Sequence, residues 1–295
     1  MGSVSEGSKE ERFRFIADNR NAFGTRYLCR CLCVSSSGFY KWLDRPKFAR
    51  DTNNAKLVVV LRNIFEMHDG NYGSPRIHRE LVNRGLKVNH KRVARLMREE
   101  RLVAKAAKLY RRKALAANSC TTVENLKHRM PLPTAPNQQW AGEVSYLKVN
   151  GRWQYLSVIL DLYSRKVIGW SLGESRTTDL TLESLNMALD TRTVGTGLIF
   201  HSDKAAEYGA HIYQNKLRSV GIKPSMNRPK TMTDNIHVES FFRTFKTESF
   251  HGEIFEDEIH LYDVTKWYLE EYYNTQRMHT SLGFKTPTQY ERIAA

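Results

Sequence analysis

The chain has 295 residues, of which 41% are hydrophobic and 26% charged, the composition of a folded protein of two or three units and not of a disordered one. Its apolar runs are too short to cross a bilayer, residues 1–19 lack the apolar stretch of a secretory leader, and four cysteines are too few for a disulfide scaffold. We therefore expect no membrane partner and a reducing cytoplasm.

The net charge of +15 is distributed unevenly along the chain. Residues 1–130 carry 28 basic and 12 acidic side chains, whereas residues 131–295 carry 18 and 19. A basic block joined to a neutral one is typical of a phosphate-binding module attached to a second folded unit, although a solvated basic surface has the same composition.

Residues 1–50 contain two short predicted helices, 25–32 and 37–43, joined by a serine-containing segment that can cap the second. This spacing resembles a helix-turn-helix, and it also occurs in ordinary helical hairpins. Cys29, Cys31 and Cys33 alternate in this region without a second pair of zinc ligands nearby, so we interpret them as buried thiols.

Residues 51–113 form a clearer helix-turn-helix prediction. An amphipathic stretch covers 56–68, Ser74 is predicted to cap a second helix that begins at Pro75 and reaches about Asn83, and Asn89 caps a third over 90–100. The outward face of the third helix is basic, which favours docking in a DNA major groove over a merely solvated surface. The residues predicted to contact DNA in this region are Arg76, Lys91, Arg92, Arg95 and Arg98, followed by Lys105, Arg111 and Arg112 of a basic run. Residues 114–136, with three prolines, are predicted to be a linker.

The periodicity changes after residue 138. Three strand-like segments cover 140–149, 153–160 and 166–172, and Asn150-Gly151 between the first two is a strong hairpin signal. Helices and short strands then alternate. The order βββαβαβα predicts an α/β layer that begins with an antiparallel meander.

Three carboxylates stand at predicted element edges in this region. Glu143 lies in the first strand, Asp203 directly follows the fourth, and Glu239 lies on the last helix, with 35 residues between it and Asp203. Phosphoryl transfer on DNA uses two divalent cations about 3.5–4 Å apart, and hard cations prefer carboxylate oxygens. A lone carboxylate is more often a surface charge, but the three in this order predict a metal site. Asn235, Arg243 and Lys246 share the helix face of Glu239, where they could contact DNA or simply face solvent.

Motifs spread over nearly the whole chain carry a resemblance to a known family. They are YGSPRI at 72–77, NQQWAGEVSY at 137–146, LDLYSR at 160–165, HSD at 201–203, TDN at 233–235, ESFF at 239–242, YN at 273–274, and Arg277, His279, SLG at 281–283 and TP at 286–287. The chain resembles the second-frame protein of two-frame bacterial insertion-sequence transposases, which belong to the retroviral-integrase superfamily.

The resemblance implies an RNase H-like α/β catalytic core with a mixed five-stranded sheet over residues 137–250, preceded by all-α helix-turn-helix modules and followed by a helical tail over 251–295. It also implies Mg²⁺-dependent DNA cleavage and strand transfer without a covalent enzyme intermediate, with Mn²⁺ as a substitute. Asp203 would bridge two metal ions, while Glu143 and Glu239 would each hold one. The implied partners are double-stranded DNA (the terminal inverted repeats and the target), further copies of the chain, and a first-frame transposase portion, fused or separate, in the bacterial cytoplasm near the nucleoid.

Glu143 departs from the family pattern, which has aspartate at the first triad position. The longer side chain leaves two interpretations open, a working variant and an inactive or impaired DNA-end-binding derivative. An RNase H-like nuclease is a third, which the helix-turn-helix modules disfavour. Lys204-Ala205 also replaces the Arg-Gly that usually follows the second carboxylate.

Overall fold

A computed structural model describes residues 7–44, 49–108, 123–126, 131–228 and 232–294. It separates into two compact units, residues 1–63 and 64–295. Arg111, Arg112 and most of the predicted linker lie outside the described residues. Within the described segments, no helix is long and apolar enough to span a membrane.

The helices are α1 (Lys9–Phe23), α2 (Thr25–Cys31), α3 (Ser36–Leu43), α4 (Ala49–Met67), α5 (Ser74–Asn83), α6 (His90–Glu99), α7 (Lys105–Lys108), α8 (Thr178–Thr191), α9 (Ala206–Gly209), α10 (His211–Ser219), α11 (Ile236–Phe245), α12 (Glu258–Lys266) and α13 (Pro287–Ala294). The strands are β1 (Gln139–Val149), β2 (Arg152–Asp161), β3 (Val167–Gly173), β4 (Ile199–Ser202) and β5 (Lys223–Met226). Wide π-type turns continue α11 over Lys246–Phe250 and α12 over Trp267–Gln276, and 3₁₀ turns cover Met232–Asn235 and Thr280–Leu282.

The first unit is a small helical cluster. Ser8 and Glu11 cap α1 reciprocally, and α1 ends at Gly24, whose φ of 74° is unfavourable for other residues. The two helices predicted from sequence are present as α2 and α3. The interpretation of all three clustered cysteines as buried thiols is wrong, because Cys29 is buried while Cys31 and Cys33 are exposed. Residues two apart on a helix point to nearly opposite sides, so Cys29 and Cys31 cannot share the core face.

The second unit begins within α4 and contains the two predicted helices as α5 and α6. The prediction that Ser74 caps α5 is wrong, because the helix begins at Ser74 and its N-cap is Gly73, without a side-chain hydrogen bond. Pro75 sits in the first turn of α5, and the Asn89 side chain accepts a hydrogen bond from the Lys91 backbone N–H at 2.8 Å to cap α6. Both helices are strongly amphipathic, and they bury Ile77, Leu81, Val93, Leu96 and Met97. Lys91 and Arg98 of α6 therefore remain on its outer face.

A five-stranded mixed sheet forms the centre of the second unit, in the order β3-β2-β1-β4-β5. β1, β2 and β3 are antiparallel neighbours, whereas β4 pairs in parallel with both β1 and β5. Asn150 and Gly151 both have positive φ, as the tight hairpin turn between β1 and β2 requires. This arrangement confirms the RNase H-like α/β core and the antiparallel meander.

Helices cover both faces of the sheet. One face packs against α11 and the C-terminal helices, with Ala141 and Leu147 of β1 in that core, whereas Trp140 and Val144 face α8 and α10. Alternation along β1 thus puts Glu143 on the α11 side. Trp153 of β2 lies outside the core, with 47% of its surface exposed. It lies near the hairpin end of β2, beyond the covering helices, and contacts Tyr146 edge to face.

Candidate active site and nucleic-acid surface

The parallel pairing of β1 and β4 brings two of the three predicted carboxylates together. Gly142 of β1 pairs with Ser202 of β4, and each is followed by a carboxylate, Glu143 and Asp203. Parallel neighbours run in register, so these two residues stand side by side where β4 ends. A Cβ on Gly142 would lie 2.5 Å from the Phe200 ring, and this glycine therefore allows close packing beside the site.

The start of α11 brings the third carboxylate to the same place. Asn235 is 1% exposed and donates from Nδ2 to the Gly142 carbonyl oxygen at 3.2 Å, which ties the helix start to β1. Glu239 follows one helical turn later on the same face. Asn235 therefore lies near the predicted carboxylates, and its side chain holds the start of α11 against β1.

The charges of the other two carboxylates reach Glu143. Burial, followed by the negative charges of Asp203 and Glu239, raises the pKa of Glu143 to about 8. Burial also raises the pKa of Asp203. The Ala205 backbone N–H, which donates to Oδ1 of Asp203 at 3.1 Å, lowers that pKa but does not offset burial. The Oε2 atom of Glu143 is buried without a hydrogen-bond partner among the described residues. Such an arrangement of acids favours a bound cation.

Two basic side chains approach this site. Lys246 donates from Nζ to the Tyr146 carbonyl oxygen at 2.8 Å, and burial lowers the pKa of Lys246 while the nearby Glu143 raises it. Arg176 lies 3.9 Å from Asp203 and donates to Glu207 at 2.5 Å. Arg176 has no signature in the sequence, because it lies in the loop before α8 and no spacing relates it to the carboxylates. Arg243 is exposed on α11.

The basic face of α6 is accessible in the second unit. Lys91 and Arg98 are exposed, Arg92 is half-buried, and Arg95 forms an i,i+4 ion pair with Glu99 at 2.7 Å. An exposed pair of this kind is weak, so Arg95 can exchange its partner for a phosphate.

Two other residues predicted to contact DNA are instead turned toward the protein. Arg76 lies 3.8 Å from the buried carboxylate of Glu248 and is 19% exposed. Lys105 donates to Asp69 at 2.6 Å, to Glu253 at 3.3 Å and to the Glu248 carbonyl oxygen at 3.3 Å. Both connect the α4–α7 region to the C-terminal helices. A sequence pattern cannot separate such internal cations from DNA-facing ones. Glu248, which both residues contact, lies more than 140 residues further along the chain.

Family models match both parts of this architecture. A model described as an HTH-like domain matches residues 52–113, and two models described as integrase core domains match residues 133–231 and 220–287. The sheet order, the helix-turn-helix region and these matches define a transposase with an integrase core.

Curated relatives specify the group within that class. The transposase InsF of insertion sequence IS3A from Escherichia coli (strain K12) is 33% identical over 287 residues, covering 95% of this chain and 98% of its own. A protein of insertion element IS600 from Shigella sonnei, described as an uncharacterized 31 kDa protein, is 32% identical and covers 91% of this chain and all of its own. The chain belongs to the IS3 family of insertion-sequence transposases.

Solved structures give more distant likenesses. A chain of the simian T-cell lymphotropic virus intasome aligns with a TM-score of 0.44 and 15% identity, covering 78% of this chain and 74% of that one. The HTLV-2 integrase catalytic core in complex with magnesium aligns at 18% identity with a TM-score of 0.37, covering 54% of this chain and 98% of that one.

Proposed function

We propose that this transposase cuts DNA at the ends of an insertion sequence and joins the freed ends to target DNA, with Glu143, Asp203 and Glu239 as its metal-binding carboxylates. The observation that carries the proposal is the convergence of these three residues, from two neighbouring strands and one helix, in a half-buried site. The reaction is a polynucleotidyl transfer, in which water and then a 3′-hydroxyl attack a phosphodiester.

The donor set fits Mg²⁺. Carboxylate oxygens are the ligands that this ion prefers, and the buried Oε2 atom of Glu143 needs a partner. In the part of the chain described, no three His, Cys, Asp or Glu side chains already form a metal-holding group. The carboxylates would therefore have to turn toward one another on loading, with Asp203 shared between two ions and Mn²⁺ able to replace Mg²⁺.

The divalent ions would supply the polarisation of the scissile phosphate and the activation of the attacking oxygen. The protein supplies position. Asn235 fixes α11 to β1 and so sets where Glu239 stands, while Lys246 and Arg243 offer positive charge along the same helix for the DNA backbone. The basic face of α6 would hold the duplex of the terminal repeats through Lys91, Arg92, Arg95 and Arg98.

An assay of cleavage and joining on terminal-repeat DNA tests the proposal. Asp203→Asn and Glu239→Gln should abolish both products and leave DNA binding within a few-fold of the wild type, because each change removes a ligand without altering the helix-turn-helix. Asp190→Asn, an exposed carboxylate on α8, is the matched control and should stay active. Full activity of either triad variant would refute the assignment.

A second candidate function has Glu143 as its supporting observation. If the longer side chain prevents correct metal placement, the chain is a DNA-end-binding derivative with impaired catalysis. Joining by the wild type in Mg²⁺ would exclude this alternative, and cleavage without joining would indicate a nuclease instead. We further propose that the protein acts as an oligomer on DNA together with a first-frame portion, at the bacterial nucleoid.

A further inference from the structure

A small pocket on the second unit lies outside the carboxylate site. Its volume is about 100 Å³. We call it the basic pocket, and its polar lining consists mainly of Arg165, Ser240, Thr244, Arg277, His279 and Ser281. None of the described residues that line it is acidic. Its chemistry is therefore that of an anion site.

Arg165 occupies an unfavourable position in this pocket. Its φ of 62° lies in the left-handed region, which disfavours residues other than glycine and asparagine by about 1 kcal/mol. Its Nη1 atom is buried and has no hydrogen-bond partner among the described residues. A guanidinium in such a state indicates a missing ligand, because buried donors are rarely left unpaired.

The turn that carries Arg165 is held by its backbone. The turn between β2 and β3 is closed by its backbone, since the Arg165 N–H donates to the Asp161 carbonyl oxygen at 2.8 Å and the Asp161 N–H donates to the Lys166 carbonyl oxygen at 2.9 Å. The buried Asp161 carboxylate also accepts from the Tyr163 N–H at 2.9 Å. The turn thus fixes the residue and leaves its guanidinium for another use.

The other lining groups are positioned donors. Arg277 is held by Glu248, to which its Nε and Nη2 atoms donate at 2.6 and 2.7 Å. Its Nη1 lies 3.3 Å from Nε2 of His279. Ser240 and Thr244 lie one turn apart on α11, so their hydroxyls face the same side. Ser240 directly follows Glu239, which connects the pocket to the carboxylate site through one helix.

We propose that the basic pocket binds one phosphate group of a DNA backbone, with Arg165 as its principal ligand. A guanidinium fork matches phosphate oxygens, and the hydroxyls of Ser240, Thr244 and Ser281 complete the donor set. The proposal rests on the proposed action on DNA. It adds that a phosphate held beside α11 positions the strand that the carboxylates attack.

Binding of the full chain to duplex DNA, without divalent ions and at several salt concentrations, tests the pocket. Arg165→Asn removes the cation and suits the left-handed backbone. It should weaken binding about tenfold or more at fixed salt and lower the slope of log K against log salt by about 1. Arg218→Gln, an exposed arginine on α10, is the charge-matched control and should change neither quantity by as much. Equal effects of the two variants, or no effect of Arg165→Asn, would overturn the proposal.

Thermal unfolding separates this role from a structural one. Without DNA, Arg165→Asn should unfold at the same or a higher temperature than the wild type, because backbone strain and an unpaired donor are both removed. A lower Tm would show that Arg165 stabilises the fold, and the proposal would be wrong. Inorganic phosphate, compared with chloride at equal ionic strength, should raise the Tm of the wild type and not of Arg165→Asn; equal responses would count against the pocket. A wild type that binds no duplex would overturn the proposed function, whereas the phosphate comparison tests the pocket independently.

Discussion

Glu143 stands where the resemblance leads us to expect aspartate, and its carboxylate lacks a full set of partners. Its Oε2 atom is buried without a partner in the described part of the chain, and neighbouring carboxylates help raise its pKa. One extra methylene displaces the carboxylate by roughly the distance that costs an active site a hundredfold in rate.

Shortening this side chain therefore should increase activity. We expect Glu143→Asp to raise the rate of strand transfer in Mg²⁺ about a hundredfold. Mn²⁺, which accepts looser geometry, should partly restore the glutamate form. The comparison uses one joining assay, with Glu143→Gln as an inactive control of equal length. Equal rates for glutamate and aspartate would mean that the site has adapted to the longer side chain.

His279 makes the stability of the second unit depend on pH. Burial, followed by the charges of Arg277, Arg76 and Arg165, lowers the pKa of His279 to about 2 from an ordinary 6.5. The folded protein keeps this histidine neutral, whereas the unfolded chain takes up a proton below pH 6.5. The contribution of neutral His279 to the free energy of unfolding is therefore fully present above pH 6.5. It is lost as the pH falls toward 2.

The free energy of unfolding of the wild type should fall by about 2 kcal/mol more between pH 7 and pH 5 than that of His279→Asn, which cannot titrate. Urea unfolding of both proteins at the two pH values measures this difference. Glu143, whose pKa is raised, makes the free energy of unfolding rise as the pH falls. Both proteins contain Glu143, so its effect cancels in the comparison. Parallel pH profiles would contradict the assignment of a neutral buried histidine.

At the scale of elements, α6 is the helix that combines a buried apolar side with an exposed basic one. If it reads DNA, each lost phosphate contact reduces the salt slope of binding by about 0.9. Lys91→Gln combined with Arg98→Gln should therefore lower that slope by about 2. Arg218→Gln combined with Lys223→Gln, both exposed elsewhere on the unit, serves as the control. Equal slopes for the two double variants would indicate that general charge, and not α6, determines binding.

At the scale of the whole molecule, the helix-turn-helix region of the second unit is built into the catalytic part. The Tyr72 ring is fully buried and stacks on His68 at 3.7 Å between ring centres. Its hydroxyl donates to the Gln276 carbonyl oxygen at 3.2 Å and accepts from the Met278 N–H at 2.9 Å. Arg76 faces Glu248 in the same region. The helices before the boundary predicted near residue 113 thus share buried contacts with the C-terminal helices after it.

A fragment of residues 131–295 should consequently be less stable than one of residues 49–295. The shorter fragment loses the fully buried Tyr72 ring and its hydrogen bonds to the Gln276 carbonyl oxygen and the Met278 N–H, which lowers the free energy of unfolding by about 2 kcal/mol or more. Urea unfolding of both fragments gives the comparison, and Tyr72→Phe in the longer one isolates the hydroxyl. Identical midpoints would show that the catalytic part is independent of the helices before it.

The sequence by itself determined the elements whose causes are local. The Asn150-Gly151 turn, the capping of α6 by Asn89 and the period-2 pattern of β1 each depend on neighbours within a few residues, and the structure has all of them. The order of elements then constrained the sheet, because a meander followed by alternating helices and strands has few packed solutions. The motifs that carry the family resemblance were also readable, since each is a short run of neighbouring residues.

Only the tertiary structure decided which charged side chains meet. Arg76 and Lys105 read as DNA contacts in the sequence but face acidic groups far along the chain, and Arg176 reaches Asp203 from a loop with no pattern of its own. The unpaired guanidinium of Arg165 became visible in the same way. The charge of a residue indicates that its partner has the opposite charge. Which residue that partner is depends on burial and distance, and these are fixed only when remote segments pack together.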